Sequence, residues 1–501
     1  MPQMSHSVPY AIELECGAVL QDRAGAPGSA LAGRGRPAWA WTPDPHGLLA
    51  AVLLAIVAAA LPAAAQCIVD NPGGSKMNIN RPADADVPAA SFSPLSAVND
   101  DLPQWLCFSA GYRMRFEGYT GGSFQADNSD SYLLTRFRLG VLIKPLSWFK
   151  VYAELQDADS FWKTPPLGPP YQSTWDLRRA YVDLGDSEQQ PVSFRVGRQD
   201  LNFGYGRLVG TSYWRNASRG FDAASMLVHW SRLRVTTFAA SQVVIGDNGL
   251  SHHQPGNNLY GLYGSLKDIV PDSVIEPYLF WRLSPGVKEE SGELANLDDK
   301  TLGLRFAGTE TGFDYDAEAD DQFGNIGTNQ VRAWAWTAIT GYTFQPVRFK
   351  PRVFGEYDFA SGDRNPKDGI HGTFDQLYPN IHDHHGLADQ VAWENLKELR
   401  SGARFSLRRN WTIAGMYNDW WLASAKDAFY NSSGGIVARD ATGRSGTHIG
   451  EELDAETTYR INQQLELGSG IGRILPGGFL AATGHNHPYT YPYVMLNYNF
   501  Y

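Results

Sequence analysis

Two runs near the start of the second hundred residues alternate between apolar and polar side chains over most of their length. They cover residues 105–119 and 132–144, and the polar positions include four arginines, Arg113, Arg115, Arg136 and Arg138. A period of two predicts β-strands, each with one apolar and one polar face. Soluble strands average five or six residues, whereas about ten alternating residues are needed to cross a bilayer. The runs therefore predict transmembrane strands whose arginines face the lumen of a β-barrel.

The composition agrees with a barrel and not with a helical membrane protein. Aromatic residues make up 13% of the 501-residue chain and 51 residues are glycine, yet the mean hydropathy is only −0.32. The longest apolar run, residues 48–61, is too short to span a membrane as a helix. Barrel strands keep their apolar residues in alternation, so a modest mean hydropathy fits membrane residence.

The first 65 residues carry a pattern that predicts export of the protein and says nothing about its fold. The apolar run 48–61 is followed by Pro62 and by the small residues 63–65, which is typical of a signal peptide cut after Ala65. Residues 1–65 are therefore interpreted as an extension and signal peptide, and 66–102 as a poorly ordered periplasmic tail. Residues 103–501 are the predicted barrel.

Cysteine usage leaves one question open. The chain has Cys16, Cys67 and Cys107, and Gln66 argues against a lipid anchor on Cys67 because lipidation favours a small residue there. A Cys67–Cys107 disulfide is chemically possible in an oxidising periplasm, and so are free thiols. The formal net charge of −11 gives no nucleic-acid footprint.

The spacing of the runs predicts an antiparallel barrel of about eighteen strands. The links between them alternate between short turns and long loops such as 159–173, 203–219, 361–394 and 424–446. Outer-membrane barrels have short periplasmic turns and long extracellular loops, so the asymmetry predicts topology as well as fold. The alternating aromatic end of the chain, residues 493–501, resembles the assembly signal of bacterial outer-membrane proteins.

If the apolar positions face lipid, the opposite positions form a charged lumen. The basic residues predicted there, besides the four arginines above, are Lys150, Arg195, Arg234, Arg282, Arg305, Lys350, Arg352 and Arg404. Residues 313–320 instead place acidic side chains on that face: Asp314, Asp316, Glu318 and Asp320. One interpretation is structural pairing of charges across the lumen. The other is a basic path beside acidic walls that guides a polyanion and limits its dwell time.

Several segments resemble the alginate export family of outer-membrane porins. They are Arg178–Gly185, Val196–Gly210, Ala360–Val391 and Thr457–Gly477, and the third is a long, idiosyncratic loop. The resemblance implies a monomeric eighteen-stranded barrel in the bacterial outer membrane that exports a polyuronate through an arginine-rich constriction. It places Arg113, Arg136, Arg138, Arg195 or Arg198, and Arg404 on the arginine-bearing strands. The acidic residues depart from a uniformly basic pore and bear on the cargo more than on the fold.

The resemblance also implies partners, namely an anionic polysaccharide, outer-membrane lipid and periplasmic export proteins, and it implies no cofactor. Two alternatives stay open: an uptake porin for small anionic solutes or oligosaccharides, and a plugged barrel with an enzymatic or structural role. No nucleophile–base arrangement is evident, so the chain is not expected to be an enzyme.

Two loop motifs are candidates for metal binding. Asp363, Asn365 and Asp368 have the start of a calcium loop but lack its twelve-residue spacing and terminal Glu. The run of residues 382–385, which contains three histidines, is dense enough to bind a metal. In a surface loop such histidines are more often solvated or responsive to pH.

Overall fold

The computed structural model describes residues 94–186, 190–288 and 293–500, and within them the chain forms a closed antiparallel barrel of eighteen strands. The strands are β1 (Leu106–Thr120), β2 (Ser129–Leu146), β3 (Phe149–Phe161), β4 (Ser173–Leu184), β5 (Val192–Gln199), β6 (Phe221–Trp230), β7 (Leu233–Val244), β8 (His252–Lys267), β9 (Ser273–Lys288), β10 (Leu294–Glu310), β11 (Phe313–Ile326), β12 (Asn329–Thr343), β13 (Arg352–Ala360), β14 (Leu396–Arg408), β15 (Trp411–Leu422), β16 (His448–Arg460), β17 (Leu465–Pro476) and β18 (Tyr489–Asn499). The predicted fold class and strand number are confirmed.

Pairing between the first and last strands closes the barrel. Gly111 of β1 lies opposite Asn499 of β18, and the register continues to Thr120 opposite Thr490. A closed sheet has no free edge, which is the condition for placing β-structure in a membrane. The aromatic carboxyl-terminal run thus forms the last strand of the barrel.

A short helix, α1 (Pro94–Asp100), packs where this seam ends. The amide of Asn99 donates to the Phe108 carbonyl and its oxygen accepts from the Phe108 N–H, both at 2.9 Å. The Leu95 N–H also donates to the Phe500 carbonyl. The helix therefore satisfies the part of β1 that β18 does not reach. This order differs from the expectation of an unstructured tail up to residue 102.

The predicted faces of the strands are present. On β1, Met114 and Phe116 expose 40% and 47% of their surface on the outside, whereas Arg113 and Arg115 are buried in the lumen. Exposed tryptophans lie near both ends of the strands, including Trp148, Trp230 and Trp411 at one end and Trp162, Trp175 and Trp334 at the other. This distribution matches the aromatic girdles that membrane barrels place at the two interfaces.

The turns are short at one end of the barrel, which we call the turn end, and most long loops emerge at the opposite loop end. The tightest turns rely on left-handed backbone, as at Ser231 (φ 49°) between β6 and β7. Strand β13 begins only at Arg352, so Lys350 lies in an exposed turn and not on a lumen-facing strand as predicted. At the loop end of β10, β11 and β12, Leu297, Ile326 and Val331 form a small apolar cluster.

No helix among the residues described has the length and apolar character needed to cross a membrane. The predicted leader, its cleavage point and Cys67 fall outside the described residues. Cys107 is disulfide-bonded, and its pairing with Cys67 stays a prediction.

Candidate functional site

Two long connections fold into the barrel and fill much of its lumen. We call residues 200–220, between β5 and β6, the first inner loop, and residues 361–395, between β13 and β14, the second inner loop. The loops pair as a short parallel bridge between Val209 and Tyr378. The Tyr378 N–H donates to the Leu208 carbonyl at 2.7 Å, and the Gly210 N–H donates to the Tyr378 carbonyl at 2.8 Å. The loops therefore cross the lumen as one connected unit.

An apolar core forms where these loops meet the inner face of the barrel. It contains Leu208 and Val209 from the first inner loop, Phe374 and Trp393 from the second, and Trp420 from β15. Burying large aromatic side chains contributes about 1.5–3 kcal/mol each. The loops are thus packed against the wall and the lumen of this structure is largely occupied.

Arg113 and Arg136 point into the lumen side by side and contact only neutral groups. Both donate to the carbonyls of Tyr213 and Arg215 at 3.0–3.1 Å, and Arg113 also donates to the amide oxygen of Asn216 at 3.3 Å. Within residues 94–186, 190–288 and 293–500 neither arginine forms an ion pair with a carboxylate. Both side chains are almost fully buried. A carboxylate accepts stronger hydrogen bonds from a guanidinium than a neutral carbonyl does, so these two arginines are chemically suited to an anion.

Arg115 contacts the same loop through an aromatic stack. Its guanidinium lies 3.8 Å from the Trp214 ring centroid, donates to the Trp214 carbonyl at 2.7 Å and pairs with Glu117. The other face of Trp214 stacks on His382 at 3.7 Å with an interplanar angle of 5°. The stack joins β1 to both inner loops, and it makes Arg115 a loop-anchoring residue.

Further along the same wall, arginines alternate with carboxylates. Arg138 donates to Gln156 at 2.9 Å and to Ser218 at 2.7 Å. Arg178 pairs with Asp200 at 2.6 Å and Arg179 with Glu154. Burial opposes the charged form of Asp200, but Arg178 and Arg179 outweigh it, and the pKa of this carboxyl is held below its usual value.

The acidic residues of β11 face basic or phenolic partners. Asp314 pairs with Arg352, and Asp316 pairs with Arg305 at 2.6 Å. The hydroxyl of Tyr278 lies between Glu318 and Asp320 and contacts both, so it donates to one at a time. Asp314 and Asp316 are therefore paired with arginines, whereas Glu318 and Asp320 share one neutral phenol hydroxyl.

Arg207 lies near the middle of the lumen and was missed by strand periodicity because it belongs to an aperiodic loop. It pairs with Glu356 at 2.7 Å and Asp358 at 3.2 Å, under the ring of Trp393. Arg400 approaches the other oxygen of Glu356 at 3.2 Å. The neighbouring carboxylates raise the pKa of Arg207 despite its burial.

The remaining predicted lumen residues divide by location. Arg195 pairs with Asp183 at 2.6 Å, Arg282 pairs with Asp375 of the second inner loop, and Arg404 lies opposite Arg352. Lys150 lies opposite Asp183, and Arg234 shares the inward face of β7 with Phe238. Arg198 instead shares the face of the exposed Phe194 and Val196, and it pairs with Asp222 on that face.

The loop motifs also have clear positions. Asp363 and Asp368 each accept a hydrogen bond from a nearby backbone N–H, those of Asn365 and Ile370. His384 and His385 are buried inside the barrel and are not solvated. Burial lowers the pKa of both imidazoles, that of His385 to about 4.

A cavity of about 480 Å³ opens at the turn end of the lumen. It is lined by Tyr205 of the first inner loop and by charged wall residues, including Arg305, Arg352, Arg400, Asp314 and Glu356. The cavity could hold one or two sugar rings. Its lining has both signs of charge.

Solved structures share this fold. The barrel resembles OccK8 (OprE) of Pseudomonas aeruginosa with a TM-score of 0.51 and 12% identity, over 79% of this chain and 98% of that one. It also resembles OccAB4 of Acinetobacter baumannii (TM-score 0.51, 11% identity, 78% and 97% covered) and OpdQ of Pseudomonas aeruginosa (0.52, 10%, 79% and 97%). At these identities the likeness concerns the fold alone. No curated protein matches the chain in sequence.

The family comparison is more specific. The model of the alginate export family matches residues 104–491, which is nearly the whole barrel. Together with the closed eighteen-stranded fold, this match makes the protein a channel-type barrel of the bacterial outer membrane, with its turn end in the periplasm. The chain belongs to the alginate export family.

Proposed function

We propose that the barrel is a passive channel that exports an anionic polysaccharide, alginate or a related polyuronate, past the arginines of its lumen. The observation that carries the proposal is the pair Arg113 and Arg136, which is buried and has only neutral partners among the residues that the structure describes. The match to the alginate export family supports a uronate as the substrate.

The chemistry of a uronate fits this pair. A carboxylate can accept from a guanidinium fork in two places, and such charge-assisted bonds are about twice as strong as those to a neutral carbonyl. The carbonyls of Tyr213 and Arg215 now take these positions. A uronate unit would compete with them and release the first inner loop from the wall.

The other arginines of the lumen have a different part in this proposal. Arg305 and Arg352 are paired with carboxylates, so a passing uronate would meet weak and partly neutralised sites there. Several weak sites in series let a polymer move without being trapped. The barrel would act as a monomer, with the periplasmic export proteins delivering the polymer at the turn end.

A second candidate is uptake of small anionic solutes or oligosaccharides. It is favoured by the 480 Å³ cavity, which is closer in size to a mono- or disaccharide than to a polymer, and by the packing of the inner loops across the lumen. The two candidates share the arginine pair and differ in the length of the substrate.

Planar-bilayer recording tests the proposal. We expect the wild-type channel to prefer anions and to be blocked by oligouronates more strongly as their length increases, but not by neutral oligosaccharides of equal length. The double variant Arg113→Ala/Arg136→Ala should lose both properties. Arg332→Ala, which removes an exposed arginine from the tip of β12, is the matched control and should change neither.

Two outcomes would count against export. Anion preference that survives in the double variant would show that the pair does not select the solute. Current block that is already complete with a monomeric uronate, and that does not increase with the length of the oligouronate, would favour uptake of small anionic solutes.

A further inference from the structure

We infer that the lumen contains a divalent metal site of the Zn²⁺ class, formed by Asp358 of β13, Glu398 of β14 and His385 of the second inner loop, which fastens that loop to the barrel wall. This loop–wall cluster is distinct from the arginine pair, and the inference does not depend on the substrate. In this site His385, from the histidine-rich run 382–385, has two carboxylate partners.

The geometry brings three ligand types together from three elements. One oxygen or nitrogen from each residue lies within 4.8 Å of those from the other two. His385 Nδ1 is 2.6 Å from Glu398 Oε2. In an assembled tetrahedral Zn²⁺ site the ligand atoms are about 3.3 Å apart, given metal–ligand distances of about 2.0–2.2 Å. Small side-chain rotations would therefore close the cluster around an ion.

The carboxylates lie in a position that would stabilise a cation. Asp358 and Glu398 lie directly opposite each other on neighbouring strands, and both are completely buried. Like charges in this register repel each other. No hydrogen bond of acceptable geometry reaches Glu398 Oε1 or either oxygen of Asp358 within the described part of the chain. Arg207 lies 3.2 Å from Asp358 Oδ1 and Trp420 faces Glu398, but buried carboxylate oxygens without a well-formed hydrogen bond are rare and point to an ion or an extra proton.

The nearby arginines do not complete the charge balance. Arg207 lies 3.2 Å from Asp358 but also pairs with Glu356, and Arg400 pairs with Glu356 as well. Three carboxylates thus share two guanidinium groups. One negative charge remains, so the group attracts a further cation, and a divalent ion would change its net charge from minus one to plus one.

The ligand set selects among metals. One imidazole and two carboxylates suit Zn²⁺, whereas Ca²⁺ takes six to eight oxygen ligands that this buried site does not offer. The cavity at the turn end comes close to the cluster, because Glu356 and Arg400, which line it, also neighbour the cluster.

The test uses the full barrel folded in detergent, stripped with a chelator and then titrated with Zn²⁺ alone. Bound metal is measured by mass spectrometry after desalting. We expect about one tightly held Zn²⁺ per chain and no comparable retention of Ca²⁺. His385→Gln should weaken Zn²⁺ binding by at least about 10-fold, and Glu398→Gln should do the same.

A second histidine–carboxylate group provides the matched control. His448 and Asp419, 2.9 Å apart, lie with Glu451 on the outward face of β15 and β16 and are half-buried. His448→Gln should leave the tightly held Zn²⁺ unchanged. Because His385 lies in a loop and not in a strand, His385→Gln should still fold into the barrel. The change in gel mobility on heating checks that each variant is folded.

A second readout follows the loop itself. Zn²⁺ should slow amide exchange at residues 384–388 at least about 10-fold in the wild type and not in His385→Gln. The proposal is overturned if the stripped wild type retains no Zn²⁺, since the extra charge would then be a shared proton. It is equally overturned if Zn²⁺ is retained by His385→Gln and lost from His448→Gln.

Discussion

Arg113 and Arg136 face each other across the first hairpin, and both donate to the same two carbonyls, those of Tyr213 and Arg215. Two like charges in direct cross-strand register repel each other, and neutral carbonyls offset this only in part. The first inner loop therefore occupies the proposed anion-binding position with neutral carbonyls. The same contacts therefore hold the loop across the lumen and cover the two arginines that are proposed to select anions.

Charge and hydrogen bonding at this pair can be separated with Arg113→Gln/Arg136→Gln. Glutamine keeps an amide donor toward the loop but removes both charges. Because charge-assisted bonds exceed neutral ones by about 1–1.5 kcal/mol, we expect oligouronate block to weaken on the order of 10-fold. Block constants in planar bilayers measure this, with Arg332→Gln as control. An unchanged block constant would assign the pair a purely structural role.

The strands and their faces could be predicted because side-chain alternation is local. Arg113, Arg136 and Arg305 were placed in the lumen from parity alone, and that is where they lie. Lys350 was misplaced because the turn before β13 is longer than its apolar residues suggest. Arg198 depended on matching a family pattern and has the outward parity of Val196.

The interior of the barrel could not be predicted from periodicity. Arg207 and Glu356 are separated by 149 residues and meet only because an aperiodic loop folds inward. Arg178 and Arg179 are adjacent in sequence, yet both are buried, because pairing between β3 and β4 shifts register after Glu154. Such a shift reverses the faces of a strand and cannot be seen in the sequence of one strand.

The contact between the inner loops depends on a residue without a side chain. A Cβ at Gly210 would lie 3.0 Å from the Asn380 Cβ and 3.1 Å from the Gly206 carbonyl oxygen. Gly210→Val should push the loops apart, increase the frequency of conducting events and speed exchange of the Tyr378 amide. Gly355→Val is the control, since no atom lies within 4 Å of a Cβ there. If both variants had the same conductance and the same exchange of the Tyr378 amide, the contact between the inner loops would not control closure of the lumen.

Asp200 should fix the first inner loop in a pH-dependent way. It pairs with Arg178 at 2.6 Å and accepts from the Tyr213 hydroxyl at 3.0 Å. Because the pKa of Asp200 in the fold is below its usual value of about 3.9, its contribution is complete above that value and is lost as the pH falls through the folded-state pKa.

At pH 7, Asp200→Asn should lower the local opening free energy of the loop by about 3–5 kcal/mol, the usual effect of breaking a buried pair. The difference from wild type should shrink as the pH falls below about 4, because the carboxyl of the opened loop then takes up a proton while the paired carboxyl of the closed loop still resists it. Hydrogen exchange of residues 211–219 at the two pH values measures this. Asp222→Asn, which breaks the partly exposed pair with Arg198, should change it by no more than about 1 kcal/mol. A pH-independent effect of Asp200→Asn would contradict the ion-pair account.

The two faces of β1 differ sharply, because the outward face is apolar and the inward face carries buried arginines. Met114 lies between the buried Arg113 and Arg115 in sequence, but it exposes 40% of its surface on the opposite face near the middle of the strand.

An arginine at the bilayer midplane on that face costs about 2–4 kcal/mol, whereas one near the interface costs about 0–1 kcal/mol. Met114→Arg should therefore reduce the unfolding free energy in lipid vesicles by the larger amount. Leu233→Arg, at the turn end of β7, should reduce it by the smaller. Denaturant unfolding of the three proteins in the same vesicles measures both values. If the two variants were equally destabilised, β1 would not cross the bilayer with its Met114 face in lipid, and the assignment of Arg113 and Arg115 to the lumen would lose its basis.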